Sequence, residues 1–412
     1  MVKGLNFLPG TLFCYFYSKQ QQLLKSHAMH IGVLFPRSNT YPLIGADFAE
    51  GIKTYLNKEA AEEPFSFTME TIGFGGTEKE VYAKTEKLLM MDGVDVLVGF
   101  IDEKILELIK PLALASGKLM IVVNAGANHP INWVPQSNIV HLGLQHSFLC
   151  AVNGSDAAQG EKNKPAAVCS TFYDCGYLHL AAMVKEFQAS GGAIKYNYIN
   201  NQLYDSNFNI TQLTDYLLAE KETRSLLCVF DITPASLFYK LLNEFSAADG
   251  LKLYVSPMML DKKALEPLSN GVVFSVRGYL PWHTANPVEE NQQFISHYNG
   301  TLKKEPTIFS LLGWETGIVL KEIAKSCNNN FSDGDSIAEK LKSLSINGPR
   351  GSMKLDDSSQ YFLFPVIRCH MEKGATELAM EFGVNLEGEW EEFSEKNTEG
   401  PVSGWTNTYL CY

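Results

Sequence analysis

The chain has 412 residues, and 45% of them are hydrophobic against 19% charged, which suits a globular protein of two or three domains rather than one. Its 46 acidic residues outnumber 34 basic ones, for a net charge of -12. That balance argues against nucleic acid or an anionic membrane surface as the main partner. The eight cysteines are scattered without a C-x-x-C, and no Cys or His cluster has metal spacing. Buried thiols and disulfides both remain open readings of them.

The first 28 residues hold an aromatic-rich apolar stretch, Leu5 to Tyr17, broken by Pro9-Gly10 and followed by Lys19 and Lys25. This makes a poor secretory signal, and Met29 as the true start explains the segment equally well. No later stretch reaches eighteen consecutive apolar residues, so no transmembrane helix is expected in the body.

From residue 30 a strand-then-helix unit repeats. Ile31 to Phe35 forms a short buried strand, residues 37–41 a polar loop, and Ile44, Phe48, Ile52 and Tyr55 one face of a helix. Further strands are expected at 65–72, 94–98 and 119–123, with helices at 78–91 and 104–116. The pattern then restarts. Helices are expected at 148–160, 178–189, 210–219 and 235–247. Strands alternate with them at 165–170, 195–199, 225–230, 252–256 and 271–276. Helices follow at 286–298, 309–327 and 337–344, and residues 348–356 and 361–369 read as an antiparallel hairpin. Continuous apolar strands alternating with amphipathic helices indicate parallel sheets covered on both faces, an α/β fold in two lobes.

Polar loops past the carboxyl ends of such strands are where these sheets place ligands. Against that, the residues carry no G-x-S-x-G, no G-x-G-x-x-G after a strand, no P-loop and no zinc motif, so catalysis, a cofactor and a bound metal are not expected. The tripeptides at Asn153, Asn209, Asn299 and Asn330 fit the glycosylation pattern but arise by chance in Asn-rich chains.

Five segments in order make the chain recognisable: IGVLFPRSNTYPLIGADFAEGIKTYLN, VDVLVGFIDEKILELIKPLALASGKLMIVVNAGANHP, STFYDCGYLHLAAMVKEF, YLPWHTANPVEENQQFISHYNGTLKKEPTIFSLLGWETG and NGPRGSMKLDD. Together they resemble the type I periplasmic binding proteins, in particular the leucine/isoleucine/valine-binding-protein-like substrate-binding proteins of ABC transporters. The resemblance implies two Rossmann-like lobes joined by three crossovers with a ligand cleft between them. It places lobe 1 in residues 29–143 and 282–346 and lobe 2 in 144–281 and 347–412, with 1–28 as an N-terminal extension. It implies no catalysis, a periplasmic location, ABC transporter membrane subunits as partners, and a small polar solute such as an amino acid as ligand. A sensory domain signalling to a partner protein is the alternative on the same lobes.

By motif, the first loop would contribute Ser38 and Tyr41, the latter supplying an aromatic ring where this chain has Ile44. The loop VGFIDEK matches a Gly-Pro-x-x-Ser loop, giving Phe100, Ile101 and Asp102, with a carboxylate near the missing Ser. The turn VVNAGANHP gives Ala125, Gly126 and Ala127, without the usual Thr hydroxyl. In lobe 2, Cys175-Gly176 stands where Tyr-Gly is usual, with Tyr173 beside it, while Asp231, Met258 and Trp282 sit at strand ends facing the cleft. Backbone N–H groups at 99–101 and 125–127 would receive an anionic group, and Asp102 or Asp231 a cationic one. Plainer roles stand beside these: Asp102 as a helix cap, Tyr41 and Trp282 as packing aromatics, His283 as a surface or hinge residue.

Overall fold

The computed structural model describes residues 28–58, 65–73, 78–101, 103–126, 134–159, 163–171, 177–200, 208–327 and 330–396. The expectations for residues 1–27 and for Asp102, Ala127, Tyr173 and Cys175 lie outside these.

The first sheet is built from β1 (Met29–Phe35), β2 (Phe65–Thr71), β3 (Val96–Phe100), β4 (Leu119–Asn124) and β5 (Ile139–Gly143), in the order β2-β1-β3-β4-β5. All four pairings are parallel. Side chains alternate across it with the period of two that strands impose. Ile31, Val33, Val96, Val98, Ile121 and Val123 face one core. Leu34, Leu97, Met120 and Val122 face another. The first core is covered by α1 (Ile44–Lys58), and the second by α2 (Glu78–Glu86), a π-helical turn at Lys87–Met91, and α3 (Glu103–Ser116).

The chain then passes to α4 (His146–Ala158) and a second sheet. Its elements are β6 (Pro165–Thr171), α5 (Tyr177–Ala189), β7 (Ala193–Asn200), α6 (Thr211–Ala219), β8 (Ser225–Val229), α7 (Ile232–Asn243), β9 (Lys252–Val255), the short α8 (Lys262–Leu265) and β10 (Ser275–Leu280). Residues 281–288 return the chain to the first lobe, where α9 (Glu289–Leu302), α10 (Ile308–Cys327) and α11 (Gly334–Lys342) pack. A third passage runs through β11 (Ile346–Gly348), β12 (Gly351–Leu355) and β13 (Phe362–Leu363) into β14 (Val366–Met371), β15 (Ala379–Val384) and α12 (Glu387–Lys396). The second sheet reads β15-β14-β10-β9-β8-β6-β7, parallel from β10 to β7, with β14 antiparallel to β10 and β15 antiparallel to β14.

In the first lobe α1 and α10 cross at backbone contact. A Cβ on Gly313 would lie 2.1 Å from the Phe48 carbonyl oxygen, and one on Gly51 2.3 Å from that of Ser310. No side chain fits there, so glycine at both positions sets the helix separation.

Three expectations need correction. The expected strand at 271–276 lies four residues later, at β10, because Gly271 has φ +111° and breaks the extended run before it. Residues 348–356 and 361–369 do not form one hairpin. Only Lys354–Leu363 and Leu355–Phe362 pair, and beyond Pro365, which has no N–H to give a ladder, the chain crosses to pair with β10 instead. Strand β5, strand β15 and helix α12 were not expected at all.

Candidate functional site

The loop after β1 turns on Ser38, whose buried hydroxyl accepts a hydrogen bond from the Tyr41 N–H at 3.0 Å. The turn throws the Tyr41 ring against Phe309 at the start of α10, centroids 5.6 Å apart and edge to face. Phe309 continues to Phe100, 6.4 Å away, and Phe100 to Phe48 at 5.3 Å. The Tyr41 hydroxyl reaches out of the first lobe and donates to Asp231 Oδ1 at 2.6 Å. Asp231 stands just past β8 in the second lobe and caps α7, accepting the Ile232 N–H at 2.6 Å. This bond therefore joins the two lobes.

Asp231 sits in surroundings that disfavour charge. Burial raises its carboxyl above the usual range, the Tyr41 and Ile232 hydrogen bonds oppose that, and the nearby negative Asp261 adds to it. Burial lowers the His283 imidazole below its usual range, and Asp261 only partly opposes this. His283 Nδ1 accepts from the Ala285 N–H at 3.1 Å, fixing it as a turn residue.

On the first lobe's side, Asn124 joins two strand ends. Its Nδ2 donates to the Ile101 carbonyl at 3.3 Å and its Oδ1 accepts the Gly126 N–H at 2.7 Å. Ile101 N–H donates to Val123 O at 3.1 Å. Two backbone donors expected to receive an anion, those of Ile101 and Gly126, are thus already bonded inside the lobe. The Ile101 side chain packs under α3, away from the first core. Ala125 and Gly126 give their carbonyls to the His146 and Ser147 N–H groups at 3.1 and 2.8 Å. A Cβ on Gly126, at φ +63°, would meet the Gln145 backbone at 2.4 Å.

Trp282 lies on the second passage between the lobes. Its indole N–H donates to Asn291 Oδ1 at 2.8 Å and its ring leans on Phe294, so its polar end is turned toward α9. Met258 is buried in the 3-10 turn Pro257–Leu260 after β9 and packs into the large core. Of the expected residues, then, Ser38, Tyr41, Phe100 and Asp231 form one connected group. Ile101, Ala125 and Gly126 form a second around Asn124. Phe309 and Asn124 were missed because each acts through a fold contact that no local pattern announces. Among the described residues no group of three or more His, Cys, Asp or Glu is placed to hold a metal ion, and no helix is long and apolar enough to cross a membrane.

Two α/β lobes, three passages and facing loops at their strand ends define a hinged solute-binding architecture. The chain belongs to the periplasmic binding protein family, whose model matches residues 28–361. Its fold is similar to that of an ABC transporter substrate-binding protein from Sphaerobacter thermophilus, at 17% identity and TM-score 0.70, covering 86% of this chain and 97% of that one. It also resembles a Rhodopseudomonas palustris (R. palustris) ABC transporter solute binding protein in complex with benzoate, at 19% identity and TM-score 0.66 over 86% and 96%. A third is the leucine binding protein LivK from Thermotoga maritima, at 14% identity and TM-score 0.61 over 88% and 100%. No curated protein sequence matches the chain.

Proposed function

We propose that this protein binds a small polar solute carrying a cationic group, an amino acid or a close relative, by closure of the two lobes. It then presents that solute to the membrane subunits of an ABC transporter on the periplasmic side. The lobes in this reading divide at 143/144, 281/282 and 346/347. The observation that carries it is the Tyr41–Asp231 hydrogen bond, which joins loops of opposite lobes at the carboxyl ends of β1 and β8. The two carboxylates here, Asp231 and the nearby Asp261, make this edge of the cleft a place where a positive charge is stabilised and a negative one repelled.

An aromatic carboxylate is the second reading. It is favoured by the ring wall of Tyr41 and Phe309 and by the benzoate in the Rhodopseudomonas palustris protein. Its carboxylate, however, would face Asp231 and Asp261, and the Ile101 and Gly126 amides are taken. Calorimetric titration with the common amino acids and with benzoate separates the two. An amino acid that binds should lose about 30-fold or more in affinity in Asp231→Ala, the cost of a buried charge-assisted contact. Binding of benzoate with no response to any amino acid overturns the cationic assignment.

A further inference from the structure

The first and third passages between the lobes meet at one side chain, and the second bonds to the residue beside it. Arg350, between β11 and β12, is 1% exposed. Its Nε donates to both oxygens of Glu315 on α10, at 2.9 and 3.0 Å, and its Nη2 also bonds Glu315 Oε2. Its Nη1 donates to the Gly143 carbonyl at 2.9 Å, at the end of β5 where the first passage begins. The guanidinium carbon lies 3.2 Å from the centroid of Phe364, which leads the third passage into β14. The adjoining Pro349 carbonyl accepts from Asn286 Nδ2 at 3.1 Å, on the second passage. Asn286 is held in turn by Asn291, whose amide donates to the Asn286 carbonyl at 2.8 Å while its oxygen holds Trp282. Gln145 Nε2 closes the ring by donating to Phe362 O at 3.1 Å.

A buried ion pair is poor value for stability alone, since desolvation offsets most of its attraction. What an arginine supplies here is geometry: a rigid planar fork that fixes several groups in one plane. Hinges are few residues at element ends, and relative motion of the lobes has to be absorbed in these three passages. We propose that Arg350 is the positioning residue of the hinge, holding the three passages as a single pivot so that the lobes move as two bodies about it. This rests on the reading above that the lobes close on a solute, but the pivot itself is present without one.

Amide hydrogen exchange by mass spectrometry on the full chain tests this without any solute, so failure of the solute assignment leaves the result intact. The informative variant is Arg350→Met/Glu315→Leu, which removes both charges and leaves no buried ion behind; Arg350→Lys is its partial rescue. In the double variant, amides in 143–149, 283–291 and 346–351 should exchange about tenfold faster or more, together, while β1, β3 and β8 keep wild-type protection. Arg350→Lys should fall between. If only 346–351 and the contacting turn of α10 respond, Arg350 is a local packing residue and the proposal fails. It fails equally if the double variant matches the wild type at all three passages, or if protection is lost uniformly across both sheets.

Discussion

Glu315 and Asp231 are both carboxylates drawn back from water, and they are held in opposite ways. Glu315 is wholly buried, and one guanidinium meets both its oxygens. Asp231, partly buried, takes a tyrosine hydroxyl and its own helix's first N–H, and burial raises its carboxyl. The first arrangement is complete and made of charges. The second joins the lobes through the Tyr41 hydroxyl. Glu315 meets a full opposite charge, whereas the contact between the lobes rests on a hydroxyl that carries no charge of its own and is worth about 1 kcal/mol.

The largest test of that contrast is Arg350→Met. Stripping the cation from Glu315 leaves a buried charge alone and should cost about 3–5 kcal/mol in chemical denaturation. Arg350→Met/Glu315→Leu should recover most of the loss. A double variant as unstable as the single one would mean that the ion pair is not what matters at the hub.

Next comes acid. His146, beside Arg350's end of α4, and His179 on α5 lie with centroids 5.7 Å apart. Burial lowers both, and His146 is lowered further by His179 and Arg350; His179 is pushed to about 3. Above pH ~6.5 histidine is neutral in folded and unfolded chains alike, so this pair adds no pH dependence there. As pH falls from 6.5 toward 3 the unfolded chain takes up protons that the folded one refuses, and stability drops. From pH 7 to pH 5 the loss from His179 should be about 2 kcal/mol, with His146 adding to it in the same direction. Urea midpoints at the two pH values should show it, with about 2 kcal/mol of the drop removed in His179→Leu.

The smallest effect belongs to the cleft. Tyr41→Phe removes one hydroxyl and should change stability by about 1 kcal/mol, with the ring's packing on Phe309 kept. A cost near that of Arg350→Met would show the interlobe contact to be structural, and the contrast would collapse.

The same contrast explains what could be seen in the residues beforehand. Strands such as VDVLV and LMIVV announce themselves because both faces are buried, and the loop after β1 is visible as a polar interruption between two periodicities. Tyr41 and Asp231 could therefore be named, each at the end of such a strand. Strand β5 could not: IVHLG is short, and its His141 stacks on Tyr361 from the third passage, 4.1 Å between centroids, so its burial depends on residues 220 positions away. Arg350 was visible only as part of a motif. Its role needs Gly143, Glu315 and Asn286 in space, and no spacing along the chain links those four.

The antiparallel tail of the second sheet has a consequence for how this protein behaves in company. Without β14 and β15, the parallel sheet would stop at β10 and offer a row of unused peptide groups to any passing strand. The chain seals that flank with its own hairpin. The outermost strand, AMEFGV, then carries Glu381 paired with Arg368 at 2.7 Å and a kink at Gly383, φ +77°. A charged, bent outer strand is a poor template for stacking one molecule onto the next. A chain cut before residue 366 would bare β10, and self-association on concentrating is the penalty to look for.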